Sequence, residues 1–389
     1  MRIVVLGVAA AARIALAAST LTTTFKAVIV TLSVGLFCMG SACAQSELPT
    51  TTRKVILEKS PGNGYRWKLV QTALPQVRDH QVLVRVHAVS LNHGDLEMLK
   101  RDDGRDLTGL IVASDAAGEV VALGKDAKGI RSGERITSLY FQDWVDGPAS
   151  AEKLAGALGG PLDGVLGDYI VLDDTAIAPM PEGLSYEEGA TLPTAALTAW
   201  MASIGQRAIG KGDTVVVQGT GGVSVFALQF AAIAGARVIV TSSSDDKLAR
   251  ALALGASAGI NYKTLPAWSN RVLELSNGHG ADLIVDVGGR NTLDQSVKSL
   301  AYGGTLSVVG GLSGYDGNIP ALGLLLKTAT ARGIYVGSRA DYLRMTAFVR
   351  THRVRPVIDR VFPLERYGEA LEHMASGAFV GKIVLRLAD

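Results

Sequence analysis

The segment Gly219-Thr220-Gly221-Gly222-Val223-Ser224 follows a short apolar run, Thr214 to Gln218, and opens a helix-like stretch, Val223 to Ala234. Glycines at a strand-to-helix junction let the backbone approach a pyrophosphate seated on the helix N-terminus, where free N–H groups and the helix dipole favour an anion. Ser224 occupies the third position of the usual glycine pattern and is small enough to keep the helix close to its strand. Glycines alone are weak testimony. Their placement between a strand and a helix makes dinucleotide binding the specific reading, with Gly219, Thr220, Gly221, Gly222 and Val223 as the contacts.

The choice of nucleotide is read roughly 20 residues further on, where an acid at the tip of the second strand would bond the 2′-hydroxyl of NAD. Here that strand ends Val240-Thr241-Ser242-Ser243-Ser244, with Lys247 close behind. Ser242 and Lys247 suit a 2′-phosphate, so NADP(H) is favoured over NAD(H). Asp245 and Asp246 argue the other way, but they fall where a helix should begin, and first-turn acids are commonly capping groups.

Thiolate chemistry is excluded from the body of the chain. Both cysteines, Cys38 and Cys43, lie in an apolar leader. There Lys26 precedes an apolar run from Ala27 to Met39, and small residues end Ala42-Cys43-Ala44 before Gln45. That is the order of a secretory signal, cleaved after Ala44. Residues 1–44 are therefore expected to be removed on export to a periplasm-like compartment or to the medium. An uncleaved anchor is disfavoured because the run is shorter than the roughly 20 residues a span takes, and lipid attachment at Cys43 is the other alternative. A start assigned too far upstream would instead leave the protein cytoplasmic, where an NADP(H) pool is expected.

Two textures follow the leader. From Thr51 to about Asp174 the chain reads as strands and turns. Val82, Val84, Val86 and Ala88 alternate along one strand with a single core-facing side, and glycines 118, 124, 129 and 133 punctuate two more, Gly118 to Leu123 and Glu134 to Leu139. A small β-barrel-like domain fits. From about Gly212 short Val/Ile-rich runs alternate with helical stretches. The runs are Thr214 to Gln218, Arg237 to Thr241, Asp282 to Asp286 and Thr305 to Val309; the helices are Val223 to Ala234, Asp245 to Leu254, Trp268 to Leu275 and Asn291 to Ala301. Runs apolar on both faces, separated by helices, predict a doubly wound parallel sheet. The 389 residues, 48% of them hydrophobic, are enough for two domains beside the leader. A net charge of +2 without a basic, aromatic-interleaved run excludes nucleic acid as a partner and leaves a small molecule.

Several segments taken in order resemble the medium-chain dehydrogenase/reductase superfamily. They are Asn92-His93-Gly94-Asp95, Asp115-Ala116-Ala117-Gly118-Glu119-Val120, the run from Ala190 to Trp200 that contains Thr194 and Thr198, the Gly219 turn, and Gly381-Lys382-Ile383-Val384-Leu385. The likeness is strongest to the zinc-independent, quinone-oxidoreductase-like branch. It implies an α/β architecture: a GroES-like, β-rich catalytic domain over residues 45–174, completed by residues 340–389, with a Rossmann NADP-binding domain, a doubly wound parallel sheet, over residues 175–339. The active site would lie in the cleft between them, and homodimers would form through the sheet edge near Arg332 to Gly337.

The same resemblance carries the remaining site residues. Thr194 and Thr198 would face the nicotinamide, Gly288 and Gly310 would line it, Lys382 would approach the cofactor from the returning segment, and Tyr262 would lie near the adenosine phosphate. In the zinc enzymes of the superfamily the position of Asn92 is a cysteine, and Ser114 and Asp115 are usually histidine and glutamate. A third position, near Thr194, is not cysteine here either, and the segment from Tyr140 to Gly167 has none of the four cysteines many relatives carry. No metal is therefore expected; His93, Asp95 and Glu97 are too unspecifically spaced to replace those ligands. Without a Lewis acid, the chemistry implied is NADPH-dependent hydride transfer to a quinone, enone or related carbonyl, with Asn92 bonding the substrate oxygen and Asp95 holding Asn92 or the nicotinamide ribose. Against that stands the plainer reading that Asn92 and Asp95 cap a turn. Tyr140, Phe141 and Trp144 would shape the substrate mouth or else serve as core. A metal-free alcohol or aldehyde dehydrogenase using a proton relay, and a non-catalytic NADPH-binding sensor, are the competing functions.

Overall fold

The computed structural model describes residues 48–205 and 208–387; the signal expected over residues 1–44 lies outside the described residues. The first part of the chain forms β1 (Thr51–Lys59), β2 (Tyr65–Ala73), β3 (Gln81–Ser90), β4 (Asp115–Leu123), β5 (Arg135–Ser138), β6 (Tyr169–Asp173) and β7 (Ile177–Pro179). The middle forms β8 (Thr214–Gln218), β9 (Arg237–Ser242), β10 (Ala258–Asn261), β11 (Ala281–Asp286), β12 (Leu300–Val308) and β13 (Thr330–Gly333). Two more strands follow, β14 (Ile358–Pro363) and β15 (Lys382–Arg386).

β1 and β2 pair as an antiparallel hairpin. A seven-stranded mixed sheet runs β14-β15-β3-β4-β5-β7, with β6 also paired to β3. The expectation of one core-facing side on β3 is too simple: Leu83 and Val89 are as buried as Val82, Val84 and Val86. A register shift between Val86 and Ala88 breaks the alternation, so that Val89 joins Val82, Val84 and Val86 in one cluster while Ala88 enters the other, and the helix Tyr186–Ala190 packs against β3 and β4. Its start is fixed by a capping box in which Ser185 Oγ accepts from the Glu188 N–H and Glu188 Oε2 accepts from the Ser185 N–H.

The six-stranded sheet is parallel throughout and runs β10-β9-β8-β11-β12-β13. Its strands are apolar without alternation because both faces are covered. Val215 and Val217 of β8 enter one hydrophobic cluster while Val216 enters another, and Val238, Val240 and Ile239 of β9 divide in the same way. Each such side chain, fully buried, is worth about 1.5–3 kcal/mol. Strand order reverses at β8, which has β9 on one side and β11 on the other. That opens a crevice at the carboxyl ends of β8 and β11, where α/β sheets bind ligands.

The end of the chain returns to the first sheet. β15 pairs antiparallel with β3, with Val384 opposite Ser90, and parallel with β14. Just before β15, the Gly381 N–H donates to the Thr220 carbonyl at 2.9 Å, tying the returning segment to the glycine turn. Gly381 has φ +89°, and a side chain there would overlap the Val357 carbonyl, so glycine is required on both counts.

Candidate active site

The glycine turn sits at the carboxyl end of β8. Gly219 takes φ +75°, a left-handed conformation that glycine adopts at no steric cost, and its N–H donates to the Thr241 carbonyl at 2.7 Å. Ser224 Oγ donates back to the Gln218 carbonyl at 2.6 Å, which explains why this position carries a hydroxyl rather than a third glycine. The helix Gly222–Ile233 starts with no side-chain cap. Its first-turn N–H groups are left for an outside acceptor. An added Cβ at Gly222 would overlap Lys382 Cδ and lie 3.2 Å from Ala195 Cβ. This cradle fits a dinucleotide pyrophosphate, which the half-exposed backbone of Gly221, Gly222 and Val223 would hold.

Across the crevice, Asp286 ends β11 fully buried and gathers five donors. Its Oδ1 accepts from the Gly288 and Gly289 N–H groups at 3.0 Å each and from Thr292 Oγ1 at 2.7 Å. Its Oδ2 accepts from Gln218 Nε2 at 2.9 Å and Ser296 Oγ at 2.6 Å. The carboxylate therefore ties the end of β8 to the loop that carries Gly288. Gly310 follows β12 and packs on Val287, so Gly288 and Gly310 both border the crevice. Sequence reasoning missed Gln218, Asp286, Thr292 and Ser296.

A third group closes the site from the mixed sheet. Asn92 precedes the helix His93–Leu99, and its N–H donates to Asp95 Oδ2 at 2.7 Å. Capping and site-holding are thus one interaction here, since the bond that starts the helix also fixes Asn92. Asn92 Nδ2 donates to Ser114 Oγ at 3.3 Å, and Ser114 Oγ donates to Asp115 Oδ1 at 2.9 Å. Thr194 lies on the wide helical turn Leu192–Ala196 and donates to Asp115 with both its hydroxyl, at 2.6 Å, and its N–H, at 3.2 Å. Its side chain is committed to Asp115 rather than directed at a nicotinamide. Lys382 Nζ donates to the Leu91 carbonyl at 2.5 Å and to Asn92 Oδ1 at 2.6 Å. Burial pushes the Asp95 carboxyl up to about 7, with the Asp115 charge adding to the effect and the Asn92 N–H and Lys382 opposing it. Burial likewise pulls the Lys382 ammonium below its ordinary value, against the attraction of Asp115 and Asp95.

The three positions that carry metal ligands in zinc enzymes of the resembling superfamily hold an amide and two hydroxyls, joined through Asp115. Catalytic zinc takes about three thiolate, imidazole or carboxylate ligands, and this group offers one of these, the Asp115 carboxylate, already engaged by Ser114 and Thr194. Among the described residues no three His, Cys, Asp or Glu side chains converge on one point.

The adenosine end departs from expectation in detail. β9 runs one residue further than its apolar pattern suggests, so Ser242 is 2% exposed inside the strand and the accessible tip is Ser243 and Ser244. Lys247 is on the following helix, but its ammonium donates to the Gly377 carbonyl. Asp245 accepts the Asn261 amide at 2.9 Å, and half-exposed Tyr262 donates its N–H to the Ser242 carbonyl at 3.0 Å. Thr198 is buried in the helix Leu197–Ala202.

A cavity of about 1120 Å³ opens beside Gly310, lined among others by Trp144, Leu154, Met201, Tyr315, Arg332 and Tyr335. Asn92 and Asp95 do not line it. Tyr140 and Tyr335 bring their hydroxyls to 3.4 Å of each other. Of the three aromatic residues expected at the mouth, Trp144 and Phe141 both belong to the buried core, and Trp144 also lines the cavity.

Two family profiles match, "Alcohol dehydrogenase GroES-like domain" over residues 78–182 and "Zinc-binding dehydrogenase" over residues 222–351. A zinc-type alcohol dehydrogenase-like protein of Schizosaccharomyces pombe is 41% identical over 315 residues, covering 79% of this chain and 91% of that protein. The bovine quinone oxidoreductase-like protein 2 is 27% identical over 324 residues, 80% of this chain and 86% of its own. A solved Sinorhizobium meliloti 1021 structure, described as an alcohol dehydrogenase, superposes with a TM-score of 0.82 at 39% identity, covering 87% of this chain and all of that one. With a GroES-like domain and a doubly wound nucleotide-binding sheet, the chain belongs to the medium-chain dehydrogenase/reductase superfamily and is an NAD(P)-dependent oxidoreductase of that type.

Proposed function

We propose that the protein is a zinc-independent, NADPH-dependent reductase of quinones, enones or related carbonyls. One observation carries the reading: Asn92, Ser114 and Thr194 hydrogen-bond into a closed polar network, through Asp115, at the positions where zinc relatives hold their metal. With both hydroxyls donating to Asp115, the Asn92 amide is the group there that can donate to an oxygen that gains electron density, and it cannot ionise an alcohol as a metal does. Bound NADPH would supply the hydride. The backbone of the Gly219–Val223 turn would hold the pyrophosphate, and the Asp286 hub shapes the loop opposite. Asn92 keeps one amide N–H free of the network for the substrate oxygen. Preference for NADP(H) rests on the hydroxyl-rich tip Ser243-Ser244 and on Lys247, whose ammonium would leave the Gly377 carbonyl for a 2′-phosphate. A homodimer is proposed through the edge of β13, which among the described residues pairs with β12 alone, and through Leu325 and Leu326, 71% and 65% exposed on the helix Ala321–Lys327 that precedes it in sequence.

The test titrates the purified protein with NADPH and with NADH by cofactor fluorescence, then adds 9,10-phenanthrenequinone. Tighter NADPH binding followed by its oxidation, unchanged by a chelator, is the expected result; failure of a panel of quinones and enones to oxidise bound NADPH would overturn the reductase reading. The chain Thr194–Asp115–Ser114–Asn92–Lys382 also suits a metal-free proton relay for alcohol oxidation. Benzyl alcohol oxidation in chelator-treated buffer would bring that second reading forward.

A further inference from the structure

One side chain joins the glycine turn to the Asn92 group. Lys382 starts β15 at 4% exposure, its stem lies over Gly222, and its ammonium continues past the turn to the Leu91 carbonyl and Asn92 Oδ1. The resemblance places this residue against the cofactor; both of its hydrogen bonds lie on the Asn92 side.

We propose that Lys382 is a positioning residue for Asn92, one that fixes which end of the amide meets the substrate and strengthens it as a donor. An asparagine amide has an accepting and a donating end of nearly equal size, and its partners decide which points where. An ammonium only donates, so at 2.6 Å it must face Oδ1. Nδ2 is thereby turned to Ser114 Oγ at 3.3 Å, and its second N–H remains for a substrate oxygen. The same ammonium polarises the amide in a dry setting, where linked hydrogen bonds reinforce each other by roughly 10–30%. Asp95 restrains the Asn92 backbone from the other side. A positive charge thus stands behind the substrate-oxygen donor, transmitted through one amide. The glycine at 222 gains a second purpose, since it leaves the lysine stem a straight path across the helix start.

The catalytic half of this inference rests on the reductase reading, so the test reads binding, folding and turnover separately in the full chain. Lys382→Met keeps length and loses the donor; Lys382→Arg keeps a donor and serves if the methionine variant does not fold. The expected result for Lys382→Met is kcat lower by roughly 10- to 100-fold, as for other residues that orient a reacting group, with the NADPH Kd within about threefold of wild type. Lys382→Arg should recover part of kcat. Combined with Asn92→Ala, Lys382→Met should add little further loss, because both changes remove one interaction. An NADPH Kd weakened tenfold or more with kcat intact at saturating cofactor would overturn the proposal in favour of a phosphate clamp, as would losses that simply multiply in the double variant. If wild type binds NADPH but reduces nothing, the reductase reading falls. Lys382 is then judged by the cofactor Kd and by a urea-unfolding cycle of the same variants, where additive destabilisation would refute the Lys382–Asn92 link.

Discussion

Replacing Asp286 by alanine removes the acceptor on which Gln218, Gly288, Gly289, Thr292 and Ser296 converge. The five donors are not equally adaptable. The hydroxyls of Thr292 and Ser296 can rotate, and Thr292 Oγ1 already lies 3.1 Å from the Gly289 carbonyl. The N–H groups of Gly288 and Gly289 are fixed by the backbone. The buried Gly289 N–H, left without a partner, costs about 1–3 kcal/mol, whereas the half-buried Gly288 N–H still lies 3.4 Å from Gln218 Oε1 and loses less. Relief from burying a carboxylate offsets part of this, and a net loss of about 2 kcal/mol is expected. Because Gly288 borders the crevice, NADPH affinity should fall at least about tenfold, the equivalent of 1.4 kcal/mol. Urea unfolding and fluorescence titration read the two effects on one preparation. Asp286→Asn keeps one accepting oxygen and should fall between the two. An alanine variant within 1 kcal/mol of wild type, with cofactor binding unchanged, would show that the loop is ordered by something other than this carboxylate.

The Asp95 carboxyl titrates near 7 in the folded protein against an ordinary 3.8, so between those values the native state keeps a proton that the unfolded chain has released. Stability should therefore decline as pH rises from about 4 to about 7 and level off above, and Asp95→Asn should remove that part of the slope; equal slopes in urea midpoints for both proteins would refute the assignment. Gly222→Ala forces a methyl into the Lys382 stem, which is pinned at its far end, and overpacking of this kind costs about 1–3 kcal/mol. A melting shift together with a weakened NADPH Kd is the expected signature, and wild-type values for both would show that the stem lies elsewhere. Lys substitutions at Leu325 and Leu326 should convert dimer to monomer in sedimentation velocity without altering circular dichroism; an unchanged mass would remove this face from the interface.

Much of the nucleotide-binding half is legible in the sequence because its signals are local. The strand Thr214–Gln218 and the helix Trp268–Leu275 coincide with their apolar patterns to the residue. The glycine turn is a contiguous motif whose neighbours alone dictate its shape. The end of β9 was less legible, since Ser242 belongs to the strand only by pairing opposite Asn261 of β10. The polar site was legible residue by residue but not as an arrangement. Asn92 and Lys382 are 290 positions apart, Asp115 and Thr194 79, and no periodicity reports which of their donors meet. The Asp286 hub left a fainter trace: Gln218 and Asp286 are the polar residues that end two otherwise apolar runs. Polar groups at adjacent ends of buried strands need partners, and here they are each other's.

The pairing of β15 with β3 also sets an order of events during synthesis. Val384 lies opposite Ser90, so the edge of β3 that β15 covers waits for nearly 300 further residues to be made. At about 5–20 residues per second that interval is roughly 15–60 s. The parallel sheet is complete in sequence by Gly333 and can assemble meanwhile, whereas β3 holds an open row of backbone donors and acceptors. A nascent chain stalled before Lys382 should accordingly be more prone to aggregation than the released protein, and its nucleotide-binding half should resist proteolysis before its mixed sheet does.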